Sequence, residues 1–177
     1  MEQKVLRAVM VCLLLMSMAI LGRETATYVE TVNVVNALQG NNADTDGIPT
    51  VVIDAGHGGD DPGKIGINGA PEKDINLRIT EKLRQYLEAD GIRVVLTRET
   101  EEGLYDASAP NKKVQDMKRR IEKIEQTDPV LTVSIHQNSY PDQSVCGPQV
   151  FYYSGSVKGA QLAKCIQQEL NTQLEAK

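Results

Sequence analysis

The chain contains two histidines, His57 and His136, and each closes a run of small and apolar residues. His57 lies in VVIDAGHGGDDPGKIGINGAPEKDINL, which runs from Val51 to Leu77, and His136 lies in VLTVSIHQNSY. A neutral imidazole offers a nitrogen lone pair to a metal ion. Two such rings need a third ligand to make a hydrolytic site that keeps one coordination position open, and a carboxylate completes that set. Glu72, in PEKDIN, is the candidate: it stands at the start of a helical pattern, after a loop long enough to bring it back over a strand end. Glycines at 56, 58, 59, 63, 66 and 69 let that loop fold tightly. The same residues admit other readings. A histidine at a strand end is often a surface residue, and Glu72 suits the positive end of a helix dipole. A glycine-rich loop can also cradle phosphate at a helix N-terminus. Here, however, no Lys-Ser/Thr follows GHGGDDPG, and no helix begins directly after the glycines. Residue types and spacing alone leave metal and non-metal readings open.

Positioning these groups requires strands that end near one another. Thr50–Asp54 is a mostly apolar, β-branched run suited to a central strand. Ile75, Ile79, Leu83, Tyr86 and Leu87 share one helical face, and the sequence ADG at 89–91 stops that helix. Ile92–Thr97 predicts the next strand. Val114, Met117, Ile121 and Ile124 mark a second helix, closed by TDP. Val130–Ile135 predicts a third strand, whose apolar start suggests burial on both faces. Gln149–Tyr153 predicts a fourth, and Ala163, Ile166, Leu170 and Leu174 stripe a last helix. This order predicts an α/β fold: a single domain with a mostly parallel, twisted sheet flanked by helices. In such a sheet ligands bind at the carboxyl ends of the strands, which is where both histidines fall.

Composition narrows the partners. The net charge is -5, so no basic surface is available to track phosphates, and nucleic acid is not expected as a partner. With no Trp and one Phe, stacking platforms for bases or exposed sugars are few. Lys4 and Arg7 precede the apolar run Ala8–Gly22, the layout of a secretory signal peptide or an uncleaved signal anchor over residues 1–22. Residues 23–48 read as a polar tether and 49–177 as the catalytic domain. Lys4 and Arg7 are then expected to stay inside, with the rest of the chain exported to the outer face of the membrane or the cell wall. Cys12 falls in the leader. Cys146 and Cys165 could pair in an oxidising compartment, and no two cysteines have metal-ligand spacing. KRRIEKIEQTD, Lys118–Asp128, reads as a solvated charged helix face.

The motifs IDAGHGGDDPG, GAPEKDINL, VVLTR and SIHQNS occur in this order from Val51 onward. Together they resemble the zinc-dependent N-acetylmuramoyl-L-alanine amidases of bacterial cell walls. Within that family the wording of GAPEKDINL and the leader without wall-binding repeats are most similar to the sporulation and germination cortex amidases. The resemblance implies Zn2+ as cofactor, with His57, Glu72 and His136 as its ligands. It implies peptidoglycan as substrate, cut between the lactyl group of muramic acid and L-alanine, and activity that can depend on a regulatory protein. Asp54 and Asn138 lie beside these ligands in sequence, which suggests that Asn138 orients a ligand or the substrate and that Asp54 either supports the ligands from behind or acts as a structural buried polar group. One departure stands out. The family's second glutamate, in a Glu-x-Gly-Phe-like motif, has no counterpart, and neither Glu169 nor Glu175 matches its setting. The expectation is therefore a domain lacking its last strand and helix, with intact metal ligands and impaired hydrolysis. The alternative is a zinc-containing peptidoglycan-binding module without turnover.

Overall fold

The computed structural model describes residues 48–142 and 144–174; the leader and the tether through residue 47 lie outside them, as does Glu175. The chain divides into two compact units at the junction of Val145 and Cys146. In the first unit three strands, β1 (Thr50–Ala55), β2 (Arg93–Leu96) and β3 (Leu131–Ile135), form a parallel sheet in the order β2-β1-β3. Parallel neighbours need crossovers, and helices α1 (Glu72–Ala89) and α2 (Lys112–Thr127) supply them. The second unit contains helix α3 (Val157–Gln173), capped by the Ser156 hydroxyl, which accepts from the Gly159 N–H at 2.9 Å.

β1 takes the central place that its apolar sequence predicts. Val52, Ile53 and Ala55 are fully buried. Val51, Ile53 and Leu96 form the core, against which Leu83, Leu87, Ile92, Val94 and Leu131 pack. The register sets Val51 opposite both Val94 and Leu131, and Ala55 opposite Ile135. The carboxyl ends of β1 and β3 therefore finish level with each other. α1 stops where ADG predicts, with Gly91 at φ 79° and the Ile92 N–H returning to the Leu87 carbonyl at 3.0 Å. The Asn111 side chain caps α2 by accepting from the Val114 N–H at 3.0 Å, and Asp128 ends it in the left-handed region.

Several expectations fail, each for a physical reason. β3 is half-buried on one face and exposed on the other: Thr132 and Ser134 are exposed, alternating with the half-buried Leu131, Val133 and Ile135, as suits an edge strand. Gln149–Tyr153 forms no strand. The Gln167 side chain engages that stretch instead, accepting from the Val150 N–H at 2.8 Å and donating to the Pro148 carbonyl at 2.9 Å. The apolar stripe of α2 faces outward, with Val114, Met117 and Ile121 half or more exposed. The residue of α2 that goes inside is Arg120, at 3% exposure, so Lys118–Asp128 is not simply a solvated face.

Arg120 is buried because it is paired. Its Nη1 meets Asp54 Oδ1 at 2.6 Å and its Nε meets Asp116 Oδ2 at 2.6 Å. The hydroxyls of Thr97 and Ser134 also donate to the Asp54 carboxylate, each at 2.7 Å. Burial pushes the Asp54 carboxyl up, but these hydroxyls and the Arg120 guanidinium together hold it below the usual carboxylate range. One network thus joins β1, β3 and α2.

Arg120→Met should leave two carboxylates without their cation and destabilise the protein by about 3–5 kcal/mol. Lys118→Met, on the exposed face, should stay within about 0.5 kcal/mol. Urea unfolding of both variants measures the contrast. Because the folded pKa of Asp54 is depressed, its stabilisation is complete above the unfolded value and is lost as pH falls through the folded one. The gap in melting temperature between the wild type and Asp54→Asn should therefore hold steady above about pH 4 and shrink below it.

Candidate metal centre

Two residues past the end of β1 the chain reaches His57, and one residue past β3 it reaches His136. The ladder continues into this edge through the Gly56 N–H, which donates to the Ile135 carbonyl at 3.0 Å. Glu72, the first residue of α1, comes back over the same edge. Its Oε1 lies 3.3 Å from His57 Nε2 and 3.1 Å from His136 Nδ1. The imidazole centroids are 4.9 Å apart, with the ring planes at 80°. One ligand atom from each of the three residues falls within 4.8 Å of the others. Glu72 is buried, whereas the His136 side chain is half exposed, so the site opens to solvent on the His136 side.

Neutral donors hold the carboxylate. The Lys64 N–H donates to Glu72 Oε2 at 2.8 Å and the Gln137 N–H to Oε1 at 2.8 Å. Asn76, one turn along α1 and fully buried, reaches Oε1 at 3.4 Å and also donates to the Gly56 carbonyl at 3.2 Å. Its amide oxygen accepts from Gln137 Nε2 at 3.2 Å. Burial pushes the Glu72 carboxyl up, but the Lys64 and Gln137 amides, Asn76 and His57 outweigh it and keep the group ionised below the usual range. His57 is oriented from behind by Asp61, whose Oδ2 lies 3.0 Å from Nδ1. The carboxylate accepts, which places the hydrogen on Nδ1 and leaves the Nε2 lone pair facing Glu72. Asp61 Oδ1 takes the Gly63 N–H at 3.1 Å.

This donor set fits a zinc ion. Two imidazoles and a carboxylate are the ligands of a common hydrolytic zinc site. Bonds of about 2.0–2.1 Å at a tetrahedral angle separate neighbouring ligand atoms by about 3.3 Å, close to the spacings around Glu72 Oε1. Two glycines permit the convergence. A β-carbon on Gly56 would enter the His136 ring. One on Gly63, at φ 67°, would lie 2.6 Å from His57 Cδ2 and 2.7 Å from Glu72 Oε2. A cleft of about 480 Å³ leads to the site, with His57, His136, Tyr105, Lys113 and Met117 in its walls.

Of the residues picked out in the sequence, His57, Glu72 and His136 come together. Asp54 turns its carboxylate to Arg120, Thr97 and Ser134, the position of a structural buried group. Asn138 is exposed, and its Oδ1 accepts from the Ser139 N–H at 2.9 Å. Glu169 lies on α3, in the second unit. Cys146 and Cys165 stand as separate thiols. Sequence reasoning missed Asp61 and Asn76. Their signal was the spacing, since each lies four residues beyond a ligand, at His57 and Glu72.

The sequence profile of the N-acetylmuramoyl-L-alanine amidase family (Amidase_3) matches residues 51–177. The chain belongs to this family. It is 35% identical over 128 residues to the germination-specific N-acetylmuramoyl-L-alanine amidase of Bacillus subtilis, covering 71% of this chain and 54% of that protein. It is 33% identical over 123 residues to the amidase AmiA of Escherichia coli, covering 68% of this chain and 38% of AmiA. The chain thus spans about half or less of the length of these relatives. Among solved structures it superimposes on the CwlD amidase of Clostridioides difficile, determined in complex with the GerS lipoprotein. That match has a TM-score of 0.67 and 40% identity, over 70% of this chain and 66% of that one. The catalytic domain of the CwlV amidase from Bacillus (Paenibacillus) polymyxa matches with a TM-score of 0.54 at 31% identity, over 65% and 59% of the two chains. These likenesses agree with the small parallel α/β architecture.

Gly56→Ala should force the His136 ring aside at a cost of about 1–3 kcal/mol, the usual range for overpacking. Imidazole NMR signals of His136 should shift while the amide signals of α2 stay in place. An unmoved His136 ring would contradict the close approach at Gly56.

Proposed function

We propose that this chain carries the zinc-binding core of an N-acetylmuramoyl-L-alanine amidase acting on peptidoglycan. The bond cut is the amide between the lactyl group of N-acetylmuramic acid and L-alanine. The convergence of His57, Glu72 and His136 at one sheet edge carries this reading, and membership of the amidase family supports it. Bound zinc would supply Lewis-acid chemistry, acidifying water and polarising a carbonyl. The chain's own residues prepare the site. Asp61 keeps the proton of His57 on Nδ1, and the Lys64 and Gln137 amides keep Glu72 ionised. His136 faces the open cleft, where an extended glycopeptide can approach.

The leader supports action outside the cytoplasm, with the N-terminal segment holding the protein at the membrane or cleaved from it. The germination-specific relative supports a spore-cortex substrate. The lipoprotein bound to the C. difficile amidase supports a regulatory protein partner. The alternative reading of the same site is a zinc-containing peptidoglycan-binding module without turnover.

Elemental analysis of the purified protein should find one zinc per chain, lost in His57→Ala and Glu72→Ala; absence of stoichiometric zinc overturns the reading. Incubation with purified peptidoglycan separates the two functions. Release of peptides with free N-terminal alanine, even slowly, identifies the amidase, while co-sedimentation without release identifies the binding module. Asp61→Asn should lower zinc affinity by about 10–100-fold in chelator competition, with the fold intact.

A further inference from the structure

His57 adopts φ 64°, a left-handed conformation that a residue with a β-carbon takes only at a cost in free energy. Such a conformation persists where its surroundings over-determine it. Around His57 those surroundings are two guanidinium groups. Arg98 and Arg120 are 2% and 3% exposed. Arg98 Nε donates to the Ala55 carbonyl at 2.9 Å, and Arg120 Nη1 donates to the same oxygen at 2.7 Å. Arg98 Nη2 reaches the Gly56 carbonyl at 3.2 Å, and Arg120 Nη2 reaches the His57 carbonyl at 2.6 Å. Three consecutive carbonyls at the end of β1 are thus held by two planar forks.

Arg98 makes a second connection. The same Nη2 donates to the Lys73 carbonyl at 2.7 Å, and Nη1 donates to the Thr100 carbonyl at 2.8 Å. One nitrogen therefore bridges the residue before His57 and the residue after Glu72. Arg120 is fixed by Asp54 and Asp116, whereas Arg98 gives these hydrogen bonds to main-chain oxygens. Burying a cation against carbonyls is a poor device for stability alone, because desolvation opposes it. It is an effective device for geometry, because the guanidinium donors lie in a rigid plane.

We propose that Arg98 and Arg120 are positioning residues that set the spacing of the His57 and Glu72 ligands by clamping the carbonyls of 55–57 and 73; this rests on the zinc reading of the site. Lysine keeps the charge at either position, but its donors radiate from one compact nitrogen and do not reproduce the planar fork that reaches these carbonyls from separate nitrogens.

Arg98→Lys and Arg120→Lys should retain cooperative melting and native circular dichroism. Each should bind zinc about 10–100-fold more weakly in chelator competition. Arg119→Lys, on the exposed pair with Asp106, should bind zinc as the wild type does. In the zinc-free proteins the backbone carbon shifts of His57 should leave the left-handed range in both clamp variants. Unchanged zinc affinity together with unchanged His57 shifts overturns the proposal. If the wild type binds no zinc, the zinc reading falls and the His57 shifts still decide whether the clamp holds the turn. Should either lysine variant fail to fold, the exchange of the Arg98 and Arg120 Nε protons in the wild type decides: slowing on zinc addition supports the clamp, and no change overturns it.

Discussion

A carboxylate buried to 4% exposure and still ionised governs the arrangement of the functional edge. Glu72 is the first residue of α1, where its charge is favoured by the helix dipole and where backbone N–H groups are free to reach it. Those groups come from two distant places, Lys64 in the loop and Gln137 after β3. Satisfying Glu72 therefore pins the glycine-rich loop and the end of β3 to the start of α1. The imidazoles of His57 and His136 stand beside the same oxygen, at 3.3 and 3.1 Å. Hydrogen bonds among the chain's own groups thus bring the loop, the helix start and the strand end to one point. A site prepared in this way loses little conformational freedom when a cation enters it, which favours tight binding.

The parallel sheet makes this economical. With β1 between β2 and β3, two strand ends finish side by side, and one or two residues beyond each suffice to present an imidazole. This much was legible in the sequence. The β-branched runs, the helix stop at Gly91 and the placement of both histidines after strands all follow from local pattern. Glu72 was legible as a candidate because a helix start after a long loop can return to the strand edge. Its pairing with Asn76 and the backing of His57 by Asp61 were hidden for a different reason. Spacing of four residues is common, and only the fold shows which polar side chains turn inward. Gln149–Tyr153 misled because strand-like composition cannot reveal that a glutamine side chain engages that backbone.

The largest misreading concerns α2. Its apolar stripe suggested a core-facing side, yet Val114, Met117 and Ile121 are exposed and the buried residue is an arginine. Binary patterning assumes that apolar residues point inward, and it fails where a charge has better partners inside than in water. Asp54 and Asp116 provide those partners for Arg120, and the carbonyls of Ala55 and His57 use its remaining donors. VVLTR similarly ends in Arg98, a residue easily read as a surface charge closing a strand, yet it lies deep against main-chain oxygens.

These polar contacts shape what the first unit can tolerate. Its apolar core is small, centred on Val51, Ile53 and Leu96, while the polar network around Asp54, Arg98 and Arg120 fills space that aliphatic side chains would occupy in a more stable design. Replacing such a network with well-packed apolar residues is often neutral or stabilising in other proteins. Here the replacement would also release the three carbonyls that hold His57 in its left-handed turn. The demands of packing and of ligand geometry therefore diverge at the end of β1. An ion that binds only the folded arrangement would add its binding free energy to stability. A metal site can in that way offset part of the cost of the charged groups that prepare it.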